Sequence, residues 1–247
     1  MSGHSKWNNI KHKKEKTDAQ KAKVFTKVGK EIAVAVKAGG PDPVSNSKLK
    51  DLISKAKSLN VPSDNIDRII KKAAGMGDVE YEEISYEGYG PCGVAVIVKA
   101  TTDNRNRTAA NVRHYFDKFG GNLGQLGCVS YLFSDAGTIV VASEDENIDE
   151  DKLMEDALEA GATDFLAEDD AFVIRTEVDD VYAISEALTA KGYPVASTEA
   201  GKVPGNYITL ETPDDMKHMR LLLDHLDDDE DITDVFHNWE NEDDWEG

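Results

Sequence analysis

Nine lysines fall within the first thirty residues: Lys6, Lys11, Lys13, Lys14, Lys16, Lys21, Lys23, Lys27 and Lys30. Ammonium groups at this density displace counterions from a phosphate polymer, and Trp7 and His12 among them offer planes on which bases stack. A second group is Thr101-Thr-Asp-Asn-Arg-Asn-Arg-Thr108, placed between a strand end and a helix start. There Arg105 and Arg107, with Asn104 and Asn106, could grip phosphate at the helix N-terminus. A competing reading stays open, in which the segment is a helix cap whose arginines pair with nearby carboxylates.

Other chemistries lack their residues or their spacing. His4, His12, His114, His218, His225 and His237 have no cysteine pairs or HxxxH spacing beside them, so no metal is expected. Asp227-Asp-Asp-Glu-Asp231 lacks the glycine and alternating ligands of a calcium loop and reads as a solvated charge run. Gly120-Gly-Asn-Leu-Gly-Gln-Leu-Gly127 lacks the Lys-Ser/Thr of a P-loop and the dinucleotide spacing, and reads as a turn from helix back to strand. No nucleophile elbow is present. An enzyme working on phosphorylated or acylated substrates through Arg105, Asn104 and Asn106 would have no general base or nucleophile beside them. The expectation is a chain with no catalytic residue, no cofactor and no small-molecule substrate.

Charge is segregated. The 247 residues carry a formal net charge of −20. Residues 1–75 hold 17 Lys+Arg against 7 Asp+Glu, a net of +10, and the remainder holds 11 against 41, a net of −30. One end attracts phosphate and the other repels it. A hydrophobic content of 40% suffices for two or three modest cores. The longest apolar runs, such as Gly93 to Val98, are far short of the roughly 20 residues a membrane helix needs. The basic start has no apolar stretch after it, so it does not read as a secretory signal, and the expected location is cytoplasmic, with Cys92 and Cys128 as reduced thiols.

The elements that position these residues follow from periodicity. Residues 1–16 read as a basic flexible tail and 17–77 as a helical domain. In the latter, Phe25, Val28, Ile32 and Val36 keep helical spacing up to Gly39-Gly40-Pro41. A second helix spans about 47–59, and a third starts at Ser63, whose side chain can cap it, and runs to Gly75. From Tyr81 strands and helices alternate. Gly93 to Val98 reads as a buried strand, followed by a helix with Thr102 or Asp103 near its start, then strands 128–133 and 138–142 about a hairpin turn at Ser134-Asp-Ala-Gly137. Later strands fall near 163–167, 171–176, 193–199, 205–211 and 231–236, with helices near 149–160, 179–190 and from Thr212 onward. Phe172 to Val181 and Tyr207 to Met216 align at an offset of 35, each a strand entering a helix through Asp-Asp. The expected fold class is therefore α+β: a three-helix bundle followed by two ferredoxin-like split βαβ domains, one (131–204) inserted in the other (78–130 plus 205–240).

Gly3-His-Ser-Lys-Trp7 with Ile10 and Lys11, Asn65-Ile66 after Pro62, Tyr86-Glu-Gly-Tyr-Gly-Pro91, Thr102-Asp-Asn-Arg-Asn-Arg-Thr108 and Phe119-Gly-Gly-Asn-Leu-Gly124 together resemble the YebC/PmpR family over essentially the whole chain. The resemblance implies a helical domain and two α/β domains around a cleft. It also implies a probable transcriptional regulator, in some members DNA-binding, or a translation factor. The latter are like the mitochondrial translational activator of cytochrome c oxidase and act on ribosomes stalled at proline-rich stretches. Cys92, Val61 and the segment Pro204 to Tyr207 depart from the family pattern.

Motif and charge point to a non-enzymatic regulator whose nucleic-acid-binding residues are Lys6, Trp7, Lys11, His12, Lys13, Lys14, Lys16, Lys21, Lys23, Lys27, Arg105 and Arg107. Its partner would be ribosomal RNA, reached on the large ribosomal subunit, or duplex DNA. Structured RNA is preferred, because no recognition helix with half-site logic is visible. The alternative is a protein-interaction module that uses the acidic α/β surface.

Overall fold

A computed structural model describes residues 18–75, 80–143, 148–168 and 170–245. The N-terminal bundle comprises α1 (Asp18–Gly39), α2 (Ser47–Ser58) and α3 (Ser63–Ala74). Val28, Ile32, Ala35 and Val36 of α1 recur every three or four residues, and they bury against Leu49, Leu52 and Ala56 of α2 and Ile66 of α3. Asn46 ties two helices together. Its Oδ1 accepts from Leu49 N at 3.0 Å, while its Nδ2 donates to the carbonyls of Ala35 at 2.8 Å and Gly40 at 2.9 Å, so one buried side chain caps α2 and satisfies the end of α1. Ser63 does not cap α3: it is the first helical residue, and Pro62 holds the cap position with no side-chain bond. Proline's fixed φ pre-sets the entry in place of a hydroxyl.

Two four-stranded antiparallel sheets follow. The first contains β1 (Glu82–Tyr89), β2 (Ala95–Thr102), β3 (Asn122–Leu123) and β8 (Ile232–His237) in the order β3-β1-β2-β8. The helices α4 (Arg105–Lys118) and α7 (Pro213–Asp228) cover it, and Val96, Val98, Val112, Phe116, Met219, Leu222 and Leu226 share one buried core. The second contains β4 (Phe133–Ala142), β5 (Asp164–Ala167), β6 (Ala171–Thr176) and β7 (Val195–Pro204) in the order β5-β6-β4-β7. Its helices α5 (Glu150–Ala160) and α6 (Val181–Ala190) bury Leu153, Ala157, Ile184 and Leu188 against Ile139, Val141 and Ile174. Both have the split βαβ order, and the elements of the second lie between β3 and α7 of the first. In the first sheet, β1 supplies from ahead of β2 the strand that would otherwise follow β3. By contacts, the described residues of 134–203 and those of 18–133 with 204–245 form separate compact units.

Two expected strands differ. Residues 130–132 form a 3₁₀ turn, and β4 runs unbroken through the expected hairpin at Ser134 to Gly137. Gly137 pairs with Thr176, and a Cβ there would lie 2.1 Å from Thr176 Oγ1 and 2.5 Å from Val181 Cβ, so this glycine serves close packing and not a turn. Residues 205–211 form no strand beyond an isolated bridge of Ile208 to Trp239, because β7 extends to Pro204 along β4 and Asn241 takes the backbone of Leu210 through both its amide atoms. The second copy of the 35-residue repeat therefore keeps its helix and loses its strand. No described helix is long and apolar enough to cross a membrane.

Candidate nucleic-acid interface

Asp231 joins three parts of the larger unit. It lies in the turn between α7 and β8, 4% exposed, so the acidic run is not solvated throughout. Its Oδ2 accepts from Arg107 Nη2 at 2.6 Å, Arg107 Nε at 3.2 Å, Thr108 Oγ1 at 2.9 Å and Thr102 Oγ1 at 3.1 Å, and its Oδ1 accepts from Lys30 Nζ at 2.8 Å. Burial alone would push this carboxyl up, but hydrogen bonds from Lys30, Arg107 and Thr108 outweigh burial and hold it at about 2. The sequence puts these groups in place locally: Asn104 caps α4 by accepting from Arg107 N at 3.1 Å, which sets Arg107 and Thr108 on the first turn beside the end of β2.

The expected site residues divide accordingly. Lys6, Trp7, Lys11, His12, Lys13, Lys14 and Lys16 lie outside the described residues. Lys21 is exposed on the first part of α1. Lys23 bonds Asp228 at 2.7 Å. Lys27 is buried and donates to the carbonyl of Asp227, and Lys30 reaches the carbonyl of Glu230 at 3.0 Å as well as Asp231. One face of α1 is thus neutralised by the acidic run some 200 positions downstream. Arg107 also takes the carboxylate-paired arrangement, with Asp103 Oδ1 at 2.9 Å in addition to Asp231. Arg105 differs: its side chain is 68% exposed, with Glu82 Oε2 at 3.8 Å as a loose partner. On this geometry Arg107 builds the fold, and Arg105 is the arginine whose side chain faces solvent.

A second cationic feature was not singled out from sequence. A groove of about 360 Å³ runs between α1 and α3, with Lys30 and Lys37 on the α1 bank and Arg68 and Lys72 on the α3 bank. Half-buried Phe25, Ala33, Ile69 and Ala73 supply apolar lining, and none of its described lining residues is acidic. Tyr81, just ahead of β1, also lines it, with Lys30 Nζ 5.8 Å from its ring centroid. The available signal was spacing: Arg68 and Lys72 stand four apart on α3, and Lys30 and Lys37 seven apart on α1, so each pair shares a helix face.

The family described as "TACO1/YebC protein N-terminal domain" matches residues 5–76, and "TACO1/YebC second and third domain" matches residues 81–239. A "Probable transcriptional regulatory protein" of Acetivibrio thermocellus is 56% identical over 243 residues, 98% of this chain and all of the relative. A relative from Hathewaya histolytica, "Probable transcriptional regulatory protein ORF2U", is 52% identical over 247 residues, all of both chains. The crystal structure of a conserved hypothetical protein, Aq1575, from Aquifex aeolicus superposes with a TM-score of 0.78 at 42% identity, covering 91% of this chain and 92% of that one.

Proposed function

Since this chain belongs to the TACO1/YebC family, we propose that it is a non-catalytic regulator of gene expression that binds nucleic acid through its basic N-terminal region. The observation that carries this reading is charge segregation: a net of +10 over residues 1–75 within a chain of net −20. Ordinary surfaces intersperse both signs, whereas a cationic end on an acidic body is drawn to phosphate and oriented by repulsion of the remainder. The names of the curated relatives support a role in regulation.

Within that reading, RNA is favoured over a duplex operator. The α1 face bearing Lys23, Lys27 and Lys30 is held by Asp228, Asp227 and Asp231, so α1 cannot present those lysines to a major groove without breaking three ion pairs. Among the described residues Arg105, Arg68 and Lys72 are exposed to solvent on different elements, an arrangement that suits an irregular phosphate surface. The ribosome, at which the chain would act as a translation factor, is such a surface.

Competition binding at physiological salt tests this. Labelled full-length protein is offered large ribosomal subunits against excess duplex DNA, and the assay is repeated without residues 1–16. Preference for ribosomes, lost on deletion, is the expected result. Sequence-dependent preference for DNA would replace the translational role with a transcriptional one, and binding to neither would leave the acidic α/β surface as the working interface.

A further inference from the structure

We propose that the groove between α1 and α3 receives one unpaired nucleotide of a single-stranded nucleic acid, with the base on the apolar lining and the flanking phosphates on Arg68 and Lys72. This deepens the nucleic-acid reading above and rests on it.

Four observations converge on this occupant. The lining is cationic with no described carboxylate, so the groove gathers the positive charge of the basic end of the chain. Its floor is apolar and incompletely covered: Phe25, Ile69 and Ala73 pack against the bundle core yet stay half-buried. A phosphate-only site would need no such floor, whereas a base has a face to cover. Phe25 and Tyr81 bring ring surface to the same space, and base stacking on aromatics contributes about 1–3 kcal/mol per base. Finally, about 360 Å³ lies at the small end of ligand sites, enough for one nucleotide and too little for a duplex.

The geometry of the two helices explains why the groove exists. At Gly29 a Cβ would stand 3.2 Å from Ile69 Cδ1, so α1 and α3 touch closely there. Arg68 and Lys72 are exposed along the α3 bank four residues apart, and a strand entering the groove would meet both. Lys30 is committed to Asp231, so it and Lys37 on the α1 bank contribute their field. An acidic peptide shares the charge but not the planar shape, and is treated as a competing outcome.

Fluorescence anisotropy on the full chain decides. The probes are a labelled oligouridylate of about twelve nucleotides, within the usual site size of single-strand binders, and an RNA duplex of the same length. Two variants address the groove. Arg68→Glu with Lys72→Glu reverses exposed charge on one bank, and Ala33→Leu fills the lining without altering charge; a thermal melt shows that each folds. The expected result is a loss of about tenfold or more in single-strand affinity for both variants, with duplex affinity changed less. If both variants bind the single strand like the wild type while deletion of residues 1–16 abolishes binding, the groove proposal is overturned and the tail reading survives. If the wild type binds neither probe but binds large ribosomal subunits, the groove proposal is overturned and the nucleic-acid reading survives; if it binds none of the three, both fail. If a labelled peptide of alternating Asp and Leu binds the wild type more tightly than the oligonucleotide and loses affinity in both variants, the groove belongs to acidic peptide and the proposal is overturned.

Discussion

Arg107 and Asp231 stand 124 positions apart, yet two guanidinium nitrogens converge on one carboxylate oxygen, Nη2 at 2.6 Å and Nε at 3.2 Å. The same carboxylate collects Thr102, Thr108 and Lys30, so a single buried acid holds the start of α4, the end of β2 and the middle of α1. Removing one member of a buried ion pair leaves its partners desolvated and uncompensated. Asp231→Asn is therefore expected to lower unfolding stability by about 3 kcal/mol, read from urea denaturation, with the bundle and the first sheet losing cooperativity together.

The same carboxyl gives an acid signature. Its folded value, about 2, lies below the ordinary aspartate range, so its contribution is fully present above about pH 4 and is lost as pH falls through the folded value. The stability difference between wild type and Asp231→Asn should be constant from neutrality down to about pH 4 and then shrink towards pH 2. A difference that instead changes between about pH 6 and pH 8 would place the network's titration elsewhere.

Lysines on one helix should behave differently. Lys23 is partly exposed beside Asp228, and Lys23→Ala should cost less than about 1 kcal/mol. Lys27 is buried with its ammonium on a backbone carbonyl, and Lys27→Ala should cost about 2 kcal/mol through lost packing and an orphaned acceptor. Neither should alter nucleic-acid affinity by more than about twofold, whereas Arg105→Ala should weaken binding and reduce the logarithmic salt slope by about one. Equal salt slopes for Arg105→Ala and wild type would remove Arg105 from the interface.

Gly137→Ala tests the unbroken β4. With 2.1 Å to Thr176 Oγ1 and 2.5 Å to Val181 Cβ, a methyl group must displace the β6 end and the first turn of α6, at a cost of about 1–3 kcal/mol. A glycine needed for a turn's positive φ would lose about the same stability to alanine and to larger side chains, whereas here the loss should grow from Ala to Val with side-chain volume, so a stability series on this one position separates the two structures.

The periodic parts of the chain were legible because their signals are local. Val28, Ile32 and Val36 announce α1 within nine residues, and Gly93 to Val98 reads as a buried strand without reference to anything else, although Gly93 belongs to the turn before β2, which starts at Ala95. What was not legible depends on distant partners. Lys23, Lys27 and Lys30 look like a phosphate-seeking stripe until the acidic run meets them from about 200 positions away. Asp231 looks like one more solvated acid, and Gly137 like a turn, because nothing nearby in sequence reveals Arg107 in one case or Val181 in the other. The cationic groove was hidden for the same reason: its banks belong to different helices, and only their packing makes one site of them.

The insertion of β4 through β7 ahead of α7 and β8 has a consequence for synthesis. Chains fold domain by domain as they emerge, and here the inserted domain is complete while the one that hosts it still lacks its last helix and strand. Until residues 227–237 have been made, β2 offers an uncovered hydrogen-bonding edge, and Asp227, Asp228 and Asp231 are not there to meet Lys27, Lys23 and Lys30. Closure of the Asp231 cluster is thus a late event in the protein's birth, and a nascent chain halted between β7 and α7 carries Lys23, Lys27 and Lys30 into the phosphate-rich surroundings of the machine that is making it without the aspartates that later hold them.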